Sequence, residues 1–140
     1  MSLLLVPVSY GELIDKITIL QIKDERIADP GKRANVRREL DALLATWAAH
    51  PASHAQAIDD LWDALIQVNR KLWVIEDDIR DKEAAGAFDA GFIELARAVY
   101  FVNDERAKLK RDLNTRLGSA LVEEKSYADY RRKDGAAPAA

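Results

Sequence analysis

In the stretch "NRKLWVIEDDIR", Asn69, Trp73, Glu76 and Arg80 recur every three or four residues and so share one side of a helix. Further along, Tyr100, Asn103, Lys110 and Asn114 repeat that spacing, and Arg106 interrupts the apolar stripe beside them. These residue types suit the capture of an anion. Arg106 and Lys110 would supply charge, the asparagines would orient a phosphate or carboxylate, and an indole or phenol would form a stacking wall. Two other readings use the same residues. They could form an internal polar network that fixes helix register, or a groove for another protein's helix. Leaving such groups buried and unpaired would cost several kcal/mol each.

The elements that must position this seam are punctuated clearly. "SYGE" (Ser9 to Glu12) is a capping-box pattern opening a first helix to about Ile27, with Leu13, Ile17, Leu20 and Ile27 on one face. Asp29 and Pro30 can start a second helix carrying Val36, Leu40, Leu43 and Trp47. Ser53 and Gln56 repeat the capping pattern ahead of a third helix over roughly residues 54–85. That helix carries a heptad stripe: Ile58, Leu61, Leu65, Val68, Leu72, Ile75 and Ile79. Gly86 can end it, and Asp89 can begin a fourth helix with Phe92, Leu95, Val99, Val102, Leu109 and Leu113, closed by Gly118.

So short a connection makes the last two helices antiparallel neighbours and selects one register. Leu72 should face Val102, Leu65 should face Leu109, and Leu61 should face Leu113. On the mixed flank Trp73 should lie opposite Asn103, and Glu76 opposite Tyr100. If the first helix covers this flank, Lys16 and Lys23 could join it. The expectation is an all-α, antiparallel bundle of about four helices dominated by a long hairpin (about 54–85 and 90–117). One domain spans 1–130, and a flexible tail spans 131–140.

Composition narrows the chemistry. With 140 residues, 49% apolar and 32% charged, the chain can bury a real core. The net charge is −3, and residues 51–100 hold most of the acidic excess, so non-specific nucleic-acid binding is not expected. No cysteine is present, which excludes thiolate chemistry and sulfur-ligated zinc. His50 and His54 flank a turn and form no Glu-x-x-His pair, so neither metal nor cofactor is expected. In the acidic run after Ile75, only Glu76 projects toward the seam. Asp77 and Asp78 lie off both stripes, and Arg80 is the natural partner of Glu76. The opening "MSLLLVPVS" is too short to span a bilayer and lacks a basic leader, so a cytoplasmic protein away from membranes is expected. "EEKSY" groups carboxylates, lysine, serine and tyrosine without catalytic spacing. A short helix or extended strap docking through Leu121, Tyr127 and Tyr130 is the expectation there.

Three stretches together, "VPVSYGELIDKITILQIKDERI", "NRKLWVIEDDIR" and "VYFVNDERAKLKRDLN" with "LGSALVEEKSY", resemble a family of small bacterial proteins known only as a domain of unknown function. The resemblance covers nearly the whole chain except residues 48–60 and the tail. It implies a stand-alone helical domain, also found attached to glycosyltransferase or tetratricopeptide-type proteins. No activity attaches to it, so no catalytic residue is carried over.

The leading expectation is therefore a non-catalytic binding or adaptor module whose seam takes an anionic ligand or a partner segment. The alternative is a small enzyme acting on a phosphate- or carboxylate-bearing metabolite. Long heptad stripes leave a homodimer open. An open pocket joining Glu76, Arg106 and Lys110 would favour the enzyme, and a sealed, mutually paired network would favour the scaffold. Arg106→Leu should be tolerated or stabilising in a merely structural network whose neighbours stay paired, and should abolish binding without unfolding if the arginine serves a ligand.

Overall fold

Ser9, Asp29 and Asp89 each start a helix, as their side chains dictate. In the computed structural model, their oxygens accept from the backbone N–H of Glu12, Lys32 and Phe92 at 3.1, 2.8 and 3.0 Å. The structure describes residues 2–132 with Gly135, Ala137 and Pro138. Of the tail expected at 131–140, Lys133, Asp134, Ala136, Ala139 and Ala140 lie outside the described residues. Five helices form in order: α1 Tyr10–Arg26, α2 Pro30–Ala49, α3 Ala52–Ala55, α4 Asp59–Ala84 and α5 Ala90–Leu117.

The expected third helix is thus split. Ser53 caps nothing, because its hydroxyl donates to the carbonyls of His50 and Ala48 at 2.8 and 3.3 Å. α4 begins later, behind Ile58, without a side-chain cap. Asp59 and Asp60 in its first turn favour the positive end of the helix dipole instead. At ~1.5 Å per residue, α4 is about 39 Å long and α5 about 42 Å.

The hairpin register follows the heptads. Gly86 and Gly118 both take left-handed φ, 65° and 69°, and close α4 and α5. Leu72 and Val102 fall in one apolar cluster with Ile75 and Ala98, against which Val68, Leu95 and Val99 pack. Leu61, Leu65 and Leu113 belong to a second cluster with Leu13, Ile14, Ile17, Leu20, Leu40 and Ile58, and Leu109 and Trp47 border it.

Although the α4/α5 hairpin is the longest element, α1 is the central one, packed against α2, α4 and α5. Its buried residues point in nearly every direction: Leu13, Ile14, Ile17, Leu20 and Ile22, but also Gly11, Asp15 and Thr18. With three neighbours, α1 keeps only a narrow solvent edge, where Lys16 stands, and must bury polar residues elsewhere.

Outside the bundle, Leu3, Leu4 and Leu5 form an extended, exposed apolar arm. The described residues after Gly118 form no helix, and residues 119–130 run back along α5 as a strap. Among the described residues, no helix is long and apolar enough to cross a membrane.

Candidate functional site

Where the two apolar clusters meet, a polar knot replaces them. On α4, Asn69 lies between Leu65 of one cluster and Leu72 of the other, and on α5 Arg106 lies between Leu113 and Val102. Both reach Asp15 of α1, whose side chain is 1% exposed. The Arg106 guanidinium grips it with two bonds, Nε to Oδ1 at 2.9 Å and Nη2 to Oδ2 at 2.5 Å. Asn69 Nδ2 donates to Asp15 Oδ1 at 2.9 Å and to Thr18 Oγ1 at 3.0 Å. Thr18 in turn donates to the Asp15 carbonyl at 2.8 Å. The hydrogen bonds to Asp15 outweigh burial and hold the Arg106 pKa above its usual value.

One turn along α5, Lys110 completes the assembly. Its ammonium donates to Glu12 at 2.7 Å and to Glu123 of the strap at 2.8 Å, with Asp15 4.0 Å away. Burial would pull this lysine's pKa down, but the surrounding carboxylates outweigh it and hold the pKa above its usual value. Lys110 in turn depresses the Glu123 carboxyl. A further turn on, Asn114 Oδ1 accepts from the Gly11 backbone N–H at 2.7 Å, so α5 caps the start of α1. The approach is close enough that a Cβ on Gly11 would lie 2.4 Å from the Lys110 carbonyl oxygen. Among the described residues, no buried side-chain nitrogen or oxygen lacks a partner.

The expected site residues therefore divide. Asn69, Arg106, Lys110 and Asn114 form the inner assembly. Trp73, Glu76, Arg80 and Asn103 line an open groove of about 310 Å³, together with Arg106 and the α1 residues Ile19 and Ile22. Trp73 and Asn103 thus share one cleft, as the hairpin register requires. Asp77 lines it too, where the spacing had placed it off the seam.

Glu76 and Arg80 pair with each other. Arg106, with 30% of its side chain exposed, presents its Nη1 side to Asn103 at 3.4 Å. Lys110 is not on this groove, so Glu76, Arg106 and Lys110 do not share one pocket.

Three of the expected residues stand apart. Lys16 is exposed and lies 3.9 Å from Glu12. One residue along α1 is a rotation of about 100°, so Asp15 faces the seam and Lys16 does not. Lys23 sits in the last turn of α1 and does not line the groove, where Ile19 and Ile22 stand instead. Tyr100 faces the strap, its ring centroid 4.8 Å from that of Tyr130.

The strap docks differently from expectation. Leu121 and Tyr127 are exposed. Glu123 and Tyr130 hold the strap instead. The Tyr130 hydroxyl donates to Asp104 and, at 3.2 Å, to the Tyr100 carbonyl. Burial and the Asp104 carboxylate push its pKa up to about 12. Polar anchors suffice because the chain here forms no helix and presents no continuous apolar face.

Asp15, Thr18, Glu12 and Glu123 were invisible as site residues in the sequence. Asp15 and Thr18 look like the polar face of an amphipathic α1. A partial signal was present, because apolar residues at 13, 14, 17, 20 and 22 spread over an arc of about 200°, wider than one amphipathic stripe, with Thr18 inside it and Asp15 at its edge.

Fold and site together define an all-α bundle braced by a buried ion-pair seam, with a groove along one flank. The chain belongs to a family of unknown function (DUF6165), whose profile spans residues 4–134, including residues 48–60. No curated protein and no solved structure matches it.

Proposed function

We propose that this protein is a non-catalytic binding module in which the inner ion pairs hold α1, α4 and α5 rigid and the Trp73 groove receives a partner. The observation that carries this reading is the division of labour within Arg106. Nε and Nη2 are committed to Asp15, while the remaining N–H groups of the guanidinium border the groove beside Asn103. Because Asp15 neutralises Arg106, Glu76 neutralises Arg80 and Asp77 adds a further carboxylate, the groove offers an anion hydrogen bonds and no net positive charge. That favours a segment of a partner protein, with a carboxylate or carbonyl for Arg106 and an apolar side chain against Trp73, Ile19 and Leu72, over a free multiply charged ion.

The test uses fluorinated tryptophan, which gives three resonances for Trp47, Trp62 and Trp73. Acetylated hexapeptides combining Leu or Val with Asp or Glu serve as probes, and citrate and inorganic phosphate serve as controls. The Trp73 resonance should move on titration with acidic apolar peptides while those of Trp47 and Trp62 stay in place. Trp73→Ala should remove binding and leave the fold intact. No perturbation of Trp73 by any acidic apolar peptide at millimolar concentration would overturn the reading.

A further inference from the structure

A second cavity, on the opposite side of α5, is built by the strap. Glu123 is held at Lys110 and Tyr130 at Asp104, positions six residues apart on α5, or about 9 Å. The seven residue steps from Glu123 to Tyr130 could reach about 23 Å if extended. The surplus chain arches off the helix and forms one wall of a solvent-open cavity of about 610 Å³, well within the range that holds small molecules.

The two ends of this cavity differ in chemistry. At one end Arg111 and Lys125 both line it, and both also border a smaller cleft beside Lys110, so they are neighbours. Among the described residues, neither forms an ion pair with a carboxylate. Lys108, by contrast, is paired with Asp112 at 2.9 Å. At the other end are the rings of Phe101 and Tyr130, whose centroids are 5.2 Å apart, and the carboxylates of Asp104, Glu105 and Asp129. Asp104 uses Oδ2 on Tyr130 and keeps Oδ1 as an acceptor. From Asp104 to Arg111 along α5 is about 10 Å. Arg131 borders the cavity as well, with its guanidinium carbon 5.8 Å from the Tyr130 ring centroid.

We propose that this cavity binds an elongated small molecule with an anionic group at one end and a flat ring carrying N–H donors at the other. A nucleoside monophosphate is the chemical class that fits. The phosphate meets Arg111 and Lys125, neither of which is in an ion pair among the described residues. The ring lies against Phe101 and Tyr130, and its N–H groups donate to Asp104 or Glu105. This site is separate from the Trp73 groove, and the fluorine resonance of Trp73 scores that groove independently, so either proposal can fail alone.

Calorimetry at low ionic strength on the whole chain tests it, with AMP, CMP, inorganic phosphate, ribose 5-phosphate and adenosine as probes. A nucleoside monophosphate should bind at least about tenfold tighter than phosphate or adenosine alone, since both ends contribute. Arg111→Gln and Lys125→Gln should each weaken that binding about tenfold, as loss of one charge-assisted contact does, without lowering the melting temperature of the free protein. Both side chains are exposed and unpaired, so neither variant threatens the fold. Bound nucleotide should also slow tryptic cleavage at Lys125 and Arg131. Failure of every probe to bind saturably would overturn the proposal. So would nucleotide binding that neither substitution weakens, or phosphate binding as tightly as the nucleotide.

Discussion

Two pairs of cations lie within two turns of α5 and meet opposite surroundings. Arg106 and Lys110 turn inward, where each is met by carboxylates from α1 and, for Lys110, from the strap. Lys108 and Arg111 turn outward, and Arg111 faces a solvent-open cavity with no carboxylate partner among the described residues. The two pairs are alike in residue type. What differs is the element packed over them, and that element decides whether a cation is a structural tie or is left available to a ligand.

The largest way to break this contrast is to remove the carboxylate at the centre of the inward pair. Asp15→Ala leaves Arg106 half-buried without its anion and should lower unfolding stability in urea by about 3–5 kcal/mol. Arg106→Leu should cost a similar amount. The tolerance expected of a network whose neighbours stay paired does not apply, because Asp15 loses both guanidinium bonds and its carboxylate cannot reach water. The double variant Asp15→Leu/Arg106→Leu should lose far less than the two single losses combined, the signature of coupling within one pair.

Next in size is Gly11→Ala, whose new methyl meets the Lys110 backbone oxygen. Separating α1 from α5 by even a few tenths of an ångström also weakens the Asn114 cap, so a loss of about 1–3 kcal/mol in the same urea titration is expected.

A smaller effect should follow from loosening the strap. Glu123→Gln removes a charge from Lys110, which keeps Glu12. Trypsin should then cut faster at Lys125 while the bundle melts almost unchanged. The same strap should respond to acid. The folded pKa of Glu123 is depressed below its usual 4.5, so its contribution is complete above that value and is lost as pH falls through the lower folded value. Protection from an acid-active protease should decline over that interval and not between pH 6 and 8.

Smallest of all is Arg80→Ala. Its pair with Glu76 is exposed and one turn apart on α4, so the change should be under about 0.5 kcal/mol. A loss of several kcal/mol there would mean that the groove is braced as the inner seam is.

Much of the framework was legible because its signals are local. Asp89 caps the residue three along, Gly86 and Gly118 take the left-handed turns that end their helices, and heptad spacing sets which residues of α4 and α5 face each other. The split at residues 56–58 was less legible. The heptad stripe runs on through Ile58, and only the actual bonds of Ser53, made backward to Ala48 and His50, show that no cap forms there. For the site, Asn69, Arg106 and Lys110 announced themselves as polar residues beside apolar stripes. Asp15 did not, because a carboxylate on an amphipathic helix looks the same whether water or an arginine faces it.

The amino-acid order by itself determined where helices start and stop and how the long hairpin pairs, since those depend on contacts within a few residues or across one tight turn. Tertiary packing decided that α1 is the centre, that Asp15 and Thr18 are interior, and that Glu123 comes back to Lys110. Those contacts join residues 13 to 91 positions apart, and no periodicity along the chain encodes which side of one helix will be covered by another.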